Sequence, residues 1–230
     1  MSSPAGDAGP VVPRPGLLDR LAVERFHRRW YEGQAWLRMT FLGVPIQKWP
    51  GDLWNYQEIL GALRPSLVVE FGTRHGGSAL YFAETLHSLG LQGRVLTVDI
   101  APAECADAVK ARGDIERMAC SSTDPAVAAR IAALRAERPG PVFAILDGDH
   151  RRDHVRAEME SLRPLLVRGD VLIVEDGNVN GHPVLPEFGP GPLEAIRDYV
   201  AAHPGDYERD VARESKFGFT FAPDGYLRRR

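Results

Sequence analysis

The chain has few cysteines, and they form none of the patterns seen in redox or metal-binding proteins. Its two cysteines, Cys105 and Cys120, are isolated and have no CxxC spacing. A zinc site, a dithiol redox motif and a disulfide framework are therefore poorly supported, because each needs paired or regularly spaced thiols. Both cysteines are expected to be packing residues.

Long apolar segments and an excess of basic charge are also missing. No apolar run approaches the length of a membrane span, and the beginning of the chain lacks the charged-then-apolar order of a signal peptide. The formal net charge of -3 gives no general attraction to nucleic acid or to an anionic membrane. We predict a cytoplasmic protein with a small-molecule partner and no nucleic-acid or membrane partner, and leave open whether it forms a homo-oligomer.

The length and composition predict one α/β domain. The 230 residues, 44% of them hydrophobic and 26% charged, are enough for a complete core. Residues 1–16 are rich in Pro, Gly and small residues, which predicts a flexible arm. Residues 17–230 are predicted to form a single domain in which helices, over 17–41 and from about Asp52 to Leu63, precede the first strand. Their aromatic residues either form a substrate lid or pack against the core; these are Trp36, Trp49, Trp54 and Tyr56.

Four short apolar runs each end on a carboxylate. Runs without polar alternation are typical of strands buried on both faces of a parallel sheet. Parallel strands finish at one edge, where open α/β sheets bind ligands, so we expect the acids to converge on one cleft. Crowded carboxylates repel one another, and a cationic group is expected among them. The runs are 67–69 before Glu70, 95–98 before Asp99, 142–146 before Asp147, and 171–174 before Glu175 and Asp176.

Helical segments alternate with these strands, which predicts a doubly wound, mostly parallel α/β fold. Helices are expected near residues 80–89, from about Asp124 to Arg135, from about Arg152 to Leu166, and over 192–202. A weak strand is expected near Met118. The end of the chain, 217–227, is predicted to be a closing strand pair around Pro223.

A glycine-rich turn, from Glu70 to Ser78, follows the first predicted strand. A phosphate loop fits poorly because Ser78 stands where the motif needs lysine, and a dinucleotide loop fits poorly because Arg74 replaces its middle glycine. S-adenosylmethionine (SAM) has no phosphates; it needs an open turn and an acid ending the next strand to bind its ribose. The alternative is a turn that serves only strand-to-helix packing. The predicted cofactor-binding residues are Glu70, Gly72, Thr73, Arg74, Gly76, Ser78, Asp99, Ser122 and Asp147.

The acids that end the later strands predict a metal site. Mg²⁺ takes oxygen ligands, commonly a few carboxylates with the remaining positions left to water or substrate. Asp147, Glu175 and Asp176 are the predicted ligands, although each alone is also typical of a helix cap or a solvated acid. His150 is the predicted general base, because it follows Asp147 at the same edge. A helix-start or core histidine is the alternative.

Five segments together resemble the cephalosporin hydroxylase family. Despite that name, the resemblance implies a SAM-dependent O-methyltransferase with the class I, Rossmann-like fold, similar to sugar methyltransferases of antibiotic pathways. It implies Mg²⁺ held by the three acids, with His150 as base. Two departures, Gly148 and Gly177 where the family favours serine and threonine, concern substrate fit. The segments are 52–58, 70–78, 146–150, 174–183 and 223–227.

The predicted function is Mg²⁺-assisted O-methylation of a small hydroxylated molecule, such as a sugar or vicinal diol of a natural-product pathway. One alternative is an oxygenase, whose usual iron site needs two histidines and a carboxylate. A second alternative is a non-catalytic SAM-binding subunit, whose acid cluster would be damaged. The sequence shows neither feature.

Overall fold

A seven-stranded sheet forms the centre of the computed structural model, which describes residues 16–101 and 104–230. Its order is β5-β4-β3-β6-β7-β9-β8; the five strands from β5 to β7 are parallel, and β9 is antiparallel to both neighbours. A small hairpin, β1–β2, precedes it. The strands are β1 Thr40–Phe41, β2 Val44–Pro45, β3 Leu67–Phe71, β4 Arg94–Asp99, β5 Ile115–Ala119, β6 Val142–Leu146, β7 Val171–Val174, β8 Tyr207–Arg209 and β9 Tyr226–Arg229.

Helices cover both faces of this sheet. Apolar residues of α2, α3 and α4 pack on one face, and those of α5, α6 and α7 on the other. Every residue of β3 and β6 is buried, as the continuous apolar runs predict. The helices are α1 Leu17–Glu32, α2 Pro50–Leu63, α3 Gly77–Ser88, α4 Asp107–Lys110, α5 Pro125–Glu137, α6 Arg152–Leu162, α7 Pro192–Ala202 and α8 Val211–Ser215, with a 3₁₀ turn at Ala35–Arg38.

The predicted doubly wound fold is confirmed, and three local predictions are wrong. The helical segment predicted over 17–41 gives way to strand β1 at Thr40–Phe41, which pairs with β2. The helix predicted to reach Leu166 ends at Leu162, two residues before Pro164, which has no backbone N–H and cannot continue the helical hydrogen-bond pattern. The chain end has one strand, β9, in place of a strand pair. The predicted arm, except Gly16, lies outside the described residues, among which no helix is long and apolar enough to cross a membrane.

The segment before β9 is held by side chains in place of a sheet partner. Asp52 in α2 accepts hydrogen bonds from the Thr220 hydroxyl and the Phe221 amide, both buried. Asp224 has a φ of 59°, so the chain turns there before β9 begins. These contacts fasten residues 220–225 against α2 and explain why no second strand forms.

His27 joins α1 to the same region. Its ring is 3% exposed and stacks on Phe219 at 4.1 Å between centroids. The Nδ2 group of Asn178 donates to His27 Nε2 over 2.9 Å, which requires a neutral imidazole. Burial, followed by the charge of Arg28, lowers the pKa of His27 from 6.5 to about 4. Helix α1 is thereby fixed to the loop after β7.

We expect His27 to make the fold sensitive to acid. Between pH 6.5 and about 4 the unfolded chain binds a proton at this residue and the folded chain does not. The free energy of unfolding should therefore fall as the pH falls through this range, by about 3 kcal/mol from this residue. Denaturant unfolding of His27→Phe should show a shallower pH dependence, whereas exposed His87→Phe should match the wild type. An unchanged slope in His27→Phe would contradict this account.

Candidate active site

One large cleft of about 740 Å³ opens at the carboxyl ends of the parallel strands. The chain runs outward in opposite directions from the β3/β6 pair, and ligands bind at such a switch point in open α/β sheets. The glycine loop and Asp99 line the β4 side of the cleft, and Asp147 and Asp176 line the β6–β7 side. The predicted convergence of strand-end acids therefore holds for these three.

The glycine loop is shaped by close backbone approaches. Gly72 has a φ of 103°, and a Cβ there would collide with the carbonyl of Asp147. Gly76 has a φ of 83° and is the N-cap residue of α3. A Cβ on Gly77 would strike the carbonyl of Pro45. The glycines thus let the turn pass between β6 and the β1–β2 hairpin.

Asp99 fixes the open face of this loop. Its Oδ2 accepts the amides of Thr73 and Arg74 at 2.9 and 2.7 Å, and its Oδ1 accepts the amide of Ala101 at 2.7 Å. The guanidinium of Arg74 reaches across to Gln47 at 2.8 Å. The carboxylate therefore stands at the cleft wall with a defined orientation.

Glu70 does not reach the cleft, which corrects the expectation that all the strand-end acids converge there. It is a fully buried residue within β3, and its Oε2 accepts the Thr97 hydroxyl at 2.6 Å. Burial, opposed by hydrogen bonds from Ser78 and Thr97, raises the pKa of Glu70 to about 7. Glu70 supports the glycine loop from beneath, while Ser78 lines the cleft.

Ser122 follows β5 and lines the same cleft. Its hydroxyl donates to Glu158 at 2.5 Å and lies 3.0 Å from His154 Nε2. The hydrogen bond to Glu158 raises the pKa of His154. Ser122 is thus part of a polar group that also includes a buried carboxylate.

Two of the three predicted metal ligands, Asp147 and Asp176, lie in a tight group of side chains together with His150. Asp147, His150 and Asp176 each offer an atom within 4.8 Å of the other two, and His150 Nε2 lies 3.3 Å from Asp176 Oδ2. Burial raises the pKa of Asp147 despite Lys48 nearby, and it raises that of Asp176 despite His150. Two carboxylates are thus held close together in a partly enclosed site. The two carboxylates of this group are the kind of ligand that a hard divalent cation takes.

Glu175 is held apart from this group. It is 2% exposed; Tyr56 donates a hydrogen bond to it, and the Lys48 ammonium lies 3.2 Å from its Oε1. Lys48 also forms an ion pair with Asp147. Burial would lower the pKa of Lys48, but the charges of Asp147 and Glu175 outweigh it and raise it.

Sequence reasoning expected a cation here but did not identify Lys48. Lys48 lies just before α2. The pattern of apolar runs that locates the strands does not show where this segment packs on the sheet. One signal was available: Lys48 is one of only three lysines in an arginine-rich chain, and it directly precedes Trp49 and Pro50.

Aromatic and apolar residues complete the β7 side of the cleft. The rings of Tyr31, Trp36 and Phe221 line it, with Tyr31 to Trp36 at 5.6 Å between centroids. Leu185 and Phe188, in the loop before α7, line it as well. Among the four aromatic residues considered as a lid, Trp36 alone lines this cleft. Trp49 packs on Trp30 and Phe219. Trp54 is 57% exposed, and Tyr56 is buried.

The two glycines that depart from the resembled family differ in their surroundings. A Cβ on Gly148 would meet nothing closer than 3.6 Å, so serine fits there. A Cβ on Gly177 would lie 2.9 Å from the Pro223 carbonyl. Gly177 therefore lets the turn before β9, at Pro223, pack closely against the loop after β7.

Comparison with known proteins shows the family. Residues 33–230 match the family described as rhamnosyl O-methyltransferase/CmcI. The rhamnosyl O-methyltransferase of Mycobacterium leprae (strain TN) is 52% identical over 220 residues, covering 96% of this chain and 94% of the relative. That of Mycobacterium tuberculosis (strain ATCC 25618 / H37Rv) is 52% identical over 205 residues, covering 89% and 84%.

A solved structure of CmcI in its Mg-SAM form shares the fold. It has a TM-score of 0.64 and 20% identity, covering 96% of this chain and 88% of that one. The predicted class I methyltransferase-like fold and the O-methyltransferase enzyme class are thereby confirmed. The chain belongs to the rhamnosyl O-methyltransferase/CmcI family.

Proposed function

We propose that the protein transfers a methyl group from SAM to a hydroxyl of a rhamnosyl or similar vicinal-diol acceptor, with the assistance of Mg²⁺. The observation that carries the proposal is the composition of the cleft at the carboxyl ends of the parallel strands. A glycine loop oriented by Asp99 lies on one side, and Asp147, His150 and Asp176 lie on the other. A methyl donor and a hydroxylated acceptor can therefore meet in one cavity.

The β4 side of the cleft provides the donor half. The Asp99 carboxylate is suited to accept hydrogen bonds from two vicinal ribose hydroxyls, while Gly72, Thr73 and Ser78 leave room for the methionine portion. Ser122 and His154 also line the cleft and would contact the adenine end. The cavity of about 740 Å³ has space for this donor and a monosaccharide together. The CmcI Mg-SAM structure, similar in fold, supports the choice of donor and metal.

The other half provides metal ligands and a base. Asp147 and Asp176 would hold Mg²⁺, which often uses only one or two protein carboxylates. When bound, the ion would orient neighbouring acceptor oxygens and lower the pKa of a bound hydroxyl. His150 is assigned as base because imidazole is a poor ligand for so hard an ion. A ligand role for Glu175 stays a prediction, since its carboxylate is taken by Tyr56 and Lys48.

Proton and methyl transfer follow from these positions. His150 would take the proton of the acceptor hydroxyl. The acceptor oxygen then forms its bond to the methyl carbon as the bond from that carbon to sulfur breaks. Alignment and an unprotonated oxygen are the main requirements of such a displacement. The aromatic wall of Tyr31, Trp36 and Phe221 suits the apolar face of a deoxy sugar.

The oxygenase alternative is less well supported by the residues. An oxygenase iron site typically needs two histidines with one carboxylate, and the group found in the described part of the chain has one histidine with two carboxylates. The non-catalytic alternative expects a damaged cluster, whereas these side chains are all present. The cytoplasmic location and the oligomeric state stay predictions.

Calorimetry with SAM tests the donor half. Asp99→Ala removes charged hydrogen bonds worth about 1.5–3 kcal/mol, so affinity should fall about 10- to 150-fold. Asp107→Ala, on an acid whose side chain is 96% exposed, is the control and should bind SAM like the wild type. Thermal unfolding should be recorded for both, because Asp99 also orders the loop. Unchanged affinity in a folded Asp99→Ala protein, or tight binding of NAD in place of SAM, contradicts the assignment.

A further inference from the structure

Lys48 is a buried cation inside the acid cluster. The residue is 2% exposed and lies between β2 and α2, while its ion-pair partners follow two adjacent parallel strands. It pairs with Asp147 beyond β6, and its Nζ lies 3.2 Å from Glu175 Oε1 beyond β7. One ammonium group thus connects the segment before α2 to two strand ends of the central sheet.

Burying an ammonium group is costly unless opposite charges surround it. Here two carboxylates face it, and Tyr56 supplies a further hydrogen bond to Glu175. Without Lys48, three acidic residues would share the cluster, with His150 beside Asp176 as the remaining basic group. Lys48 therefore supplies positive charge to the acid cluster. Without Lys48, a bound divalent ion would be the main source of that charge.

Asp147 lies between the two cations. Its Oδ2 accepts a hydrogen bond from the Lys48 ammonium group. Asp147 also belongs to the group with His150 and Asp176. A metal at that group and the ammonium group would both bind Asp147 and would repel each other. This competition is a consequence of the geometry and requires no movement of the backbone.

We propose that Lys48 is a built-in counter-cation that keeps the acid cluster folded without metal and weakens divalent-ion binding by competing for Asp147. The inference rests on the metal site of the proposed function. Lys48 is a positioning residue, since it acts on the ligand Asp147 and not on the reacting atoms. The fold is then expected to tolerate metal removal, and metal binding to be reversible.

Calorimetric titration with Mg²⁺ in the absence of SAM and acceptor tests this inference. Lys48→Met should bind Mg²⁺ about tenfold or more tightly than the wild type, because a unit charge beside a divalent ion repels it even with the screening of bulk water. Lys216→Met is the matched control: Lys216 pairs with Glu58 on α2, away from the cleft, so its loss should leave Mg²⁺ affinity unchanged. Thermal unfolding with and without Mg²⁺ should accompany both titrations.

Each outcome bears on the inference. Tighter binding in Lys48→Met, together with a larger rise of its Tm on adding Mg²⁺ than in the wild type, supports it. If Lys48→Met is unfolded without metal, Mg²⁺ should restore a cooperative transition, and failure to do so contradicts the inference. Equal or weaker binding in a folded variant contradicts the inference alone. If neither the wild type nor Lys48→Met binds Mg²⁺, both the inference and the metal part of the proposed function are contradicted. Product analysis tests methyl transfer separately.

Discussion

Replacing His150 with alanine is expected to lower turnover about 100- to 10,000-fold, the usual contribution of a positioned general base. The residue lines the acceptor side of the cleft, with its Nε2 3.3 Å from Asp176. SAM binding should stay nearly intact, because the donor half depends on Asp99 and the glycine loop. Steady-state rates on a rhamnoside acceptor, combined with SAM calorimetry, measure both quantities.

A second histidine provides the control for this variant. His203 pairs with Glu160 at 2.9 Å and does not line the cleft, so His203→Ala should keep the wild-type rate. Wild-type turnover in His150→Ala would show that metal binding alone activates the hydroxyl. His150 would then return to the role of a residue at the start of α6.

Loss of the divalent metal should have an effect of similar or greater size. Chelation is expected to abolish turnover, and added Mg²⁺ to restore it in the wild type. Asp176→Asn should lower turnover about 1,000-fold or more, because metal ions contribute several kcal/mol of charge stabilisation. Asparagine tolerates the φ of 54° at this position, so the variant should fold. Mg²⁺ should not rescue it at concentrations that saturate the wild type.

Asp149 is the matched control for Asp176. It lies in the same cleft, but its Oδ1 accepts the amide of Arg151 at 3.0 Å, which forms a local turn ahead of α6. Asp149→Asn should therefore retain most activity and ordinary Mg²⁺ affinity. Full activity in excess chelator, or in Asp176→Asn, would show that the acid cluster is structural.

The parts of the site that lie at strand ends were predictable from sequence. Apolar runs locate strands that are buried on both faces, and the parallel order brings the residues after them to one edge. Asp99, Asp147 and Asp176 were therefore expected together, and the structure places all three at one cleft. The position of His150 at this edge was predictable because it comes three residues after Asp147.

Other parts depend on packing that strand patterns do not encode. Lys48 and Tyr56 come from the region before β3, and only the docking of α2 brings them to Glu175. Glu70 ends its apolar run like the other acids, but it lies within β3 and points beneath the loop. The segment 217–225 was predicted to contain a strand. In the structure, the Thr220 hydroxyl and the Phe221 amide donate hydrogen bonds to Asp52 and not to a neighbouring strand.

Methyl transfer to an acceptor oxygen is the central claim, and it is tested most directly with SAM carrying an isotopically labelled methyl group. The protein is incubated with this donor, Mg²⁺ and a rhamnoside, and the product is analysed by mass spectrometry and NMR. The account predicts a product carrying the intact labelled methyl on a sugar oxygen, with one S-adenosylhomocysteine formed per product. An acceptor that gains oxygen without the label, or a rhamnoside and related diols left unchanged while SAM is bound, would contradict it.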